Sequence, residues 1–180
     1  MTIVEKQLLY PVAASLFAVI GAACDVRTRR IPNVLTGPAL LFGLVLHGVL
    51  DGWRGAGTAL AAGLICGVIF LLFYIAGGMG AGDVKLILAV GTIAGLSNIT
   101  YLLILTAITG GLMGVGLALL RGKLKETLFN VSTITKHHGE VGLKPHPELN
   151  VRNTATLRLP YGLAIAAGAV VTLYLHGVQR

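Results

Sequence analysis

Apolar residues run along this chain in six long stretches, broken by short polar or glycine-rich punctuation. The first runs from Leu8 to Cys24 and stops at the basic cluster Asp25-Val26-Arg27-Thr28-Arg29-Arg30. The second covers about Ile31 to Leu50, where Pro32 suits the first turn of a helix and Pro38 marks an expected kink. Asp51-Gly52-Trp53-Arg54-Gly55 reads as a turn with Trp53 at interface depth, and a third stretch follows over about Gly57 to Ala76. After the glycine-rich Gly77–Gly82, the stretch from Asp83 to Leu96 is only 14 residues long. A helix needs about 20 residues to cross the hydrocarbon. The fourth helix is therefore expected to start nearer Gly77, which sets Asp83 about six residues, roughly 9 Å, below the surface at 1.5 Å per residue. A short, tilted span is the alternative. Ser97-Asn98 make the next turn, and the fifth stretch covers Ile99 to Leu120, with Gly110, Gly111, Gly114 and Gly116 expected at helix contacts. A polar segment, about 121–158, comes next. Its first part is expected to extend the fifth helix, and the rest, with Lys144-Pro145-His146-Pro147, to be loop. Leu159-Pro160-Tyr161-Gly162 opens the sixth stretch, which runs to about His176. The pattern predicts an all-α, polytopic membrane protein, a bundle of about six transmembrane helices forming a single unit over residues 1–180.

Composition agrees. Mean hydropathy is +0.84 and only 12% of residues are charged, against about 25% in soluble domains. The excess of 14 basic over 7 acidic residues is read as topology, not as a nucleic-acid surface. With both termini outside, the inner segments hold 11 basic residues (Arg27, Arg29, Arg30, Lys85, Arg121, Lys123, Lys125, Lys136, Lys144, Arg152, Arg158) and the outer ones 3 (Lys6, Arg54, Arg180). That bias places the 121–158 loop in the cytoplasm of a multi-pass protein of the inner (plasma) membrane. The first stretch lacks a basic leader and a small-residue cleavage site, so it is read as a retained helix. Cys24 and Cys66 form no CxxC pair, and neither a zinc site nor a disulfide framework is expected.

This topology sets Asp25 and Asp83 at one membrane face and Asp51 at the other. Two carboxylates in a water-poor cleft can share a proton. One can then take a proton from water as it attacks a carbonyl while the other donates one to the leaving group, with no metal or cofactor. The glycines at 77, 78, 80 and 82 offer room for an extended peptide. Blander readings stand beside each of these. Asp83 fits an ordinary helix start. Asp25 beside three arginines fits an interfacial ion cluster. Lys85 fits a snorkelling amine, and His137-His138 a solvated loop.

Asp25 followed by Ile31-Pro32-Asn33, then Gly80-Ala81-Gly82-Asp83-Val84-Lys85-Leu86, then Pro160-Tyr161-Gly162-Leu163-Ala164-Ile165 and Gly168, resembles the type IV prepilin peptidases. These are the GxGD class of intramembrane aspartic peptidases. The resemblance implies a catalytic pair of Asp25 and Asp83. It marks Gly80, Gly82, Lys85, Ile31, Pro32 and Asn33 as motif or cleft positions without an assigned step. It further implies prepilin-like substrates that lose a basic leader at the cytoplasmic face. Larger bifunctional members carry an N-terminal domain with paired cysteines that accompanies methylation of the new amino terminus. This chain resembles the short form of tight-adherence pili or archaeal preflagellin peptidases, and peptidase activity alone is expected. A non-catalytic pilus-assembly scaffold and a small ion-coupled transporter are the competing classes. An inverted repeat would mark the transporter, and the contexts of Asp25 and Asp83 do not match each other.

Overall fold

The computed structural model describes residues 3–147, 149–150 and 159–178, with side chains described from 8 to 175 within that range. It is all-α. The helices are α1 (Ile3–Thr28), α2 (Asn33–Ile75), α3 (Ala81–Ala94), α4 (Ile99–Leu120), α5 (Leu124–Val141) and α6 (Tyr161–Val178). Three stretches are long and apolar enough to cross a membrane, Leu8–Thr28, Asn33–Ile75 and Ile99–Leu120, and α6 is a shorter apolar helix.

The 43 residues of α2 are two apolar stretches joined end to end, and the expected five-residue turn shrinks to one residue. Gly52 sits at φ 71°, ψ −167°, a region open almost only to glycine. A straight helix of this length would reach about 65 Å at 1.5 Å per residue. Yet a Cβ added at Gly43 would lie 3.1 Å from Thr92, and one at Gly63 would overlap the same side chain. Both arms of α2 therefore lie side by side against α3. Gly52, within the turn expected at 51–55, is the only residue inside α2 with non-helical backbone angles, and the angles at Pro38 stay helical.

α3 is the centre of the bundle. Leu86, Ile87, Ala89, Val90 and Ile93 are fully buried, as befits a helix that is apolar on every side. Small residues let its neighbours approach: Ala14, Ala18 and Ala22 from α1, and Ala62 and Cys66 from α2, join it in one buried cluster. Without a hydrophobic drive between helices in lipid, close packing of this kind is what holds them. The helix starts at Ala81 after Gly80 in extended conformation, not near Gly77. Its 14 residues span about 21 Å. A helix sheathed by protein has no need to match the hydrocarbon itself.

Two other expectations change. α4 does not run on past Leu120. It closes with Gly122 N–H donating to the Leu119 carbonyl (3.0 Å) and Lys123 N–H to that of Ala118 (2.9 Å), a paired-bond helix stop. The segment expected to be mostly loop then forms α5 as a separate helix. Of the four glycines of α4, only Gly110 packs closely, against the Tyr161 hydroxyl. Among the described residues, Gly111, Gly114 and Gly116 have nothing within 4 Å of a built Cβ. Arg152, Arg158 and Arg180, used in the charge count, lie outside the described residues, as does the side chain of Lys6.

Candidate active site at one end of the bundle

The end of α1, the starts of α2, α3 and α6, and the segment after α5 meet at one end of the bundle. Asp25 lies in the last turn of α1, which runs four residues beyond the end expected at Cys24. It is 8% exposed. Its Oδ2 accepts the Gly162 backbone N–H at 3.1 Å. Gly162 is the second residue of α6, and the first N–H groups of a helix have no partner within it. They form a ready anion site, to which the carboxylate is anchored. The approach is tight: a Cβ at Gly162 would lie 3.1 Å from both Cβ and Oδ2 of Asp25 and 3.2 Å from Cα of Ala22.

Asp83 occupies the first turn of α3. Its Oδ2 accepts the Gly80 N–H at 3.2 Å, the backward half of a capping box. Asp83 lies close enough to Asp25 for their charges to interact, and Tyr161 lies within the same range of Asp83. Arg29 is near enough to act on Asp25. The two aspartates singled out from the sequence are thus brought together, each steadied through one oxygen by a main-chain N–H at a helix start. Among the described residues no third His, Cys, Asp or Glu joins them in a set able to hold a metal ion.

The motif positions also converge. Ile31 is buried and meets Gly82, whose added Cβ would lie 3.2 Å from the Ile31 Cβ. Pro32 caps α2 in extended conformation, φ −73° and ψ 144°. Asn33, the first residue of α2, accepts a hydrogen bond from Lys85 Nζ at 2.9 Å. The Lys85 amine therefore has a protein partner and does not simply reach for water. Among the described residues only Asp83 Oδ2, 3.2 Å away, comes within 4 Å of a Cβ built at Gly80. Gly77 is covered instead, with Pro145 Cβ 3.0 Å and Asn150 Cβ 3.2 Å from where a side chain would begin. Of the four glycines expected to make room for a peptide, Gly77 and Gly82 are packing positions, while Gly78 and Gly80 each meet one atom of the described residues, the Phe73 carbonyl oxygen at 3.4 Å and Asp83 Oδ2 at 3.2 Å.

Tyr161 and Gly162 belong to this site and were seen in the sequence only as part of a helix-opening pattern. Tyr161 stacks edge-on against Phe70, centroids 6.3 Å apart. The signal that marked them was the Pro160-Tyr161-Gly162 triplet, which revealed a place but not a role.

Residues 12–115 match the model of the type IV leader peptidase family. The Prepilin leader peptidase/N-methyltransferase of Aeromonas hydrophila is 34% identical over 104 residues, covering 54% of this chain and 36% of the relative. The protein of the same name from Aeromonas salmonicida (strain A449) is 33% identical over 104 residues, covering 54% and 35%. The chain thus matches about a third of the length of these curated relatives. No solved structure matches it significantly.

Proposed function

The chain belongs to the type IV leader peptidase family, and from that premise we propose that it is an intramembrane aspartic endopeptidase removing the basic leader from prepilin-like precursors. The observation that carries the reading is the pairing of Asp25 and Asp83 within charge-interaction range, each bound through Oδ2 to a backbone N–H. One carboxylate takes a proton from the attacking water as its oxygen bonds to the scissile carbonyl carbon. The other donates a proton, and the C–N bond breaks with the amine leaving as the new amino terminus. A single proton shared across the pair serves both halves of that exchange. A helical substrate hides its carbonyls in hydrogen bonds, so the scissile stretch enters extended. Gly80, three residues from Asp83 and approached among the described residues by Asp83 alone, is where it lies in this reading. The apolar stalk of the precursor packs as one more helix against the bundle.

The site faces the cytoplasm in this reading, and both termini lie outside the plasma membrane. The inner loops carry the basic bias that topology follows. Prepilin-like precursors and the bilayer are the partners proposed, with no cofactor and no nucleic acid.

Co-expression of the full chain with a prepilin from the same genome, read by gel shift and mass spectrometry, tests the assignment. The leader is lost with the wild-type protein and kept with Asp83→Asn, whose amide holds the shape but accepts no proton. An intact precursor beside well-folded wild-type protein, or normal processing by Asp83→Asn, overturns it.

A further inference from the structure

α5 is the one described helix that contributes nothing to the core: none of its side chains is buried. It is nonetheless amphipathic. At about 100° per residue, Leu124, Leu128, Val131, Ile134 and Val141 fall on one arc, while Lys125, Lys136, Glu126 and Glu140 fall on the opposite one. Phe129 stands apart, on the charged side. The apolar arc is divided in use. Ile134 and the neighbouring His137 and His138 are half-buried where the chain turns back along the helix. There His137 Nε2 lies 3.2 Å from the Lys144 carbonyl oxygen, and its ring sits 5.0 Å from that of His146. Leu128 and Val131 are left 60% and 56% exposed.

We propose that α5 lies in the headgroup region of an anionic leaflet, with Leu128 and Val131 in the lipid and its lysines toward the phosphates and water. Three features select lipid as the occupant. The helix begins within four residues of the end of α4, itself long and apolar enough to cross the membrane, so its start is held at the membrane surface. The exposed Leu119 and Leu120 at the end of α4 make the Leu128–Val131 stripe continuous with that lipid-facing side. Between 121 and 144 there are five basic side chains against two acidic ones, one of them, Glu126, already paired with Lys123 at 3.5 Å. A helix with an apolar stripe and a lysine-bearing polar face settles at a membrane surface, more firmly when the lipids are anionic.

The placement has a consequence for the candidate active site. The segment returning from α5 sets Pro145 against Gly77, in the turn that leads into Asp83. A helix moored in the lipid surface holds that cover at the depth of the aspartates.

Trp53 is the only tryptophan, so Trp53→Phe gives a silent background for tryptophans placed singly on α5. The full-length protein in nanodiscs of phosphatidylcholine, with and without phosphatidylglycerol, is read with brominated lipid and with iodide as quenchers. The expected result is at least threefold stronger bromolipid quenching for Leu128→Trp and Val131→Trp than for Lys125→Trp and Glu140→Trp. Iodide should reverse that order, and phosphatidylglycerol should deepen the lipid signal. Equal iodide quenching at all four positions means a helix free in water and overturns the proposal. Shielding of positions 128 and 131 from both quenchers means a protein occupant and overturns it as well. Indifference to phosphatidylglycerol overturns the anionic selection. None of these readings depends on peptidase activity.

Discussion

The two ends of the bundle each hold an aspartate arrangement and use it differently. At one end Asp25 and Asp83 sit close to each other, and each accepts one main-chain N–H, from Gly162 and from Gly80. At the other end Asp51 is tied to side chains. Tyr10 donates its hydroxyl to Asp51, and His47 Nδ1 lies 3.6 Å from the same oxygen. The Tyr10 and His47 rings stack at 3.9 Å, and His47 Nε2 lies 3.1 Å from the Ile93 carbonyl oxygen. A carbonyl only accepts, so Nε2 carries a proton and donates it there. The Asp51 cluster thereby clamps α1, the bend of α2 and the end of α3 together. A carboxylate held by a tyrosine hydroxyl, with an imidazole packed beside it, is a fastener. Two carboxylates close enough for their charges to interact, each with one oxygen held by a backbone N–H, suit the proton exchange proposed above. The ends differ in their partners and also in burial, with Asp25 8% exposed and the Asp51 side chain 37% exposed.

The comparison predicts a crossover, and this is the largest effect. Asp25→Asn lowers leader cleavage at least a hundredfold, since proton transfer by a placed group contributes about 10²–10⁴ in rate, and leaves thermal stability unchanged or higher. Asp51→Asn does the reverse. It weakens hydrogen bonds to a charged group worth about 1.5–3 kcal/mol while cleavage stays within a few-fold of wild type. Paired melting and cleavage assays on both variants read the result. Equal losses of stability in the two would erase the distinction between the ends.

A smaller contrast comes from two glycines. In Gly162→Ala the new Cβ meets Asp25 and Ala22 at 3.1–3.2 Å, and the start of α6 must shift away from the carboxylate it anchors. Cleavage is expected to fall about tenfold, because a misplacement of about 1 Å can cost up to 10²-fold. Gly95→Ala acts at the other end. Gly95 has φ +77°, and its Cβ would fall 2.7 Å from His47 Cε1. The left-handed backbone and the displaced ring together cost about 1–3 kcal/mol of stability, with a milder effect on turnover. Steady-state kinetics and melting temperatures on both proteins check the pair.

Much of this arrangement was legible in the chain itself. The apolar runs place the helices, and α4 matches its expected bounds because Asn98 and Arg121 bracket it. Asp25 and Asp83 stand out as carboxylates at the ends of apolar runs. What stayed hidden depends on main-chain atoms and on packing. Gly162 holds Asp25 through its N–H, a group every residue but proline possesses, so its identity reveals only that space is short. The turn at 51–55 was expected, but its reduction to the single residue Gly52 needed a backbone angle to appear. α5 was masked because its apolar positions alternate with threonines and histidines, which lower the average polarity contrast while leaving the helical spacing of Leu124, Leu128, Val131 and Ile134 intact. That spacing was the available signal. The extra glycines of α4 misled for the opposite reason, since a Cβ built at three of them comes within 4 Å of no other helix among the described residues.

The smallest expected effect concerns the rim of the aspartate end, where Lys85 donates to Asn33 at 2.9 Å. Both side chains are exposed, so the bond adds only about 0.5–1.5 kcal/mol. Its interest is where it acts. Asn33 starts α2 immediately after the Ile31-Pro32 stretch that follows Asp25, and Lys85 is two residues past Asp83. The bond therefore ties the segment leaving one aspartate to the helix bearing the other, beside the contact of Gly82 with Ile31. Lys85→Met and Asn33→Ala are each expected to lower kcat three- to tenfold with little change in KM, since they loosen the spacing of the pair and not the seat of the substrate. If the two residues act through this one bond, the double variant is no worse than the poorer single one, and the cycle shows coupling. Lys85→Arg, which keeps a donor of similar reach, restores part of the loss. Losses that simply multiply in the double variant would separate the two residues and leave Lys85 with a role apart from Asn33.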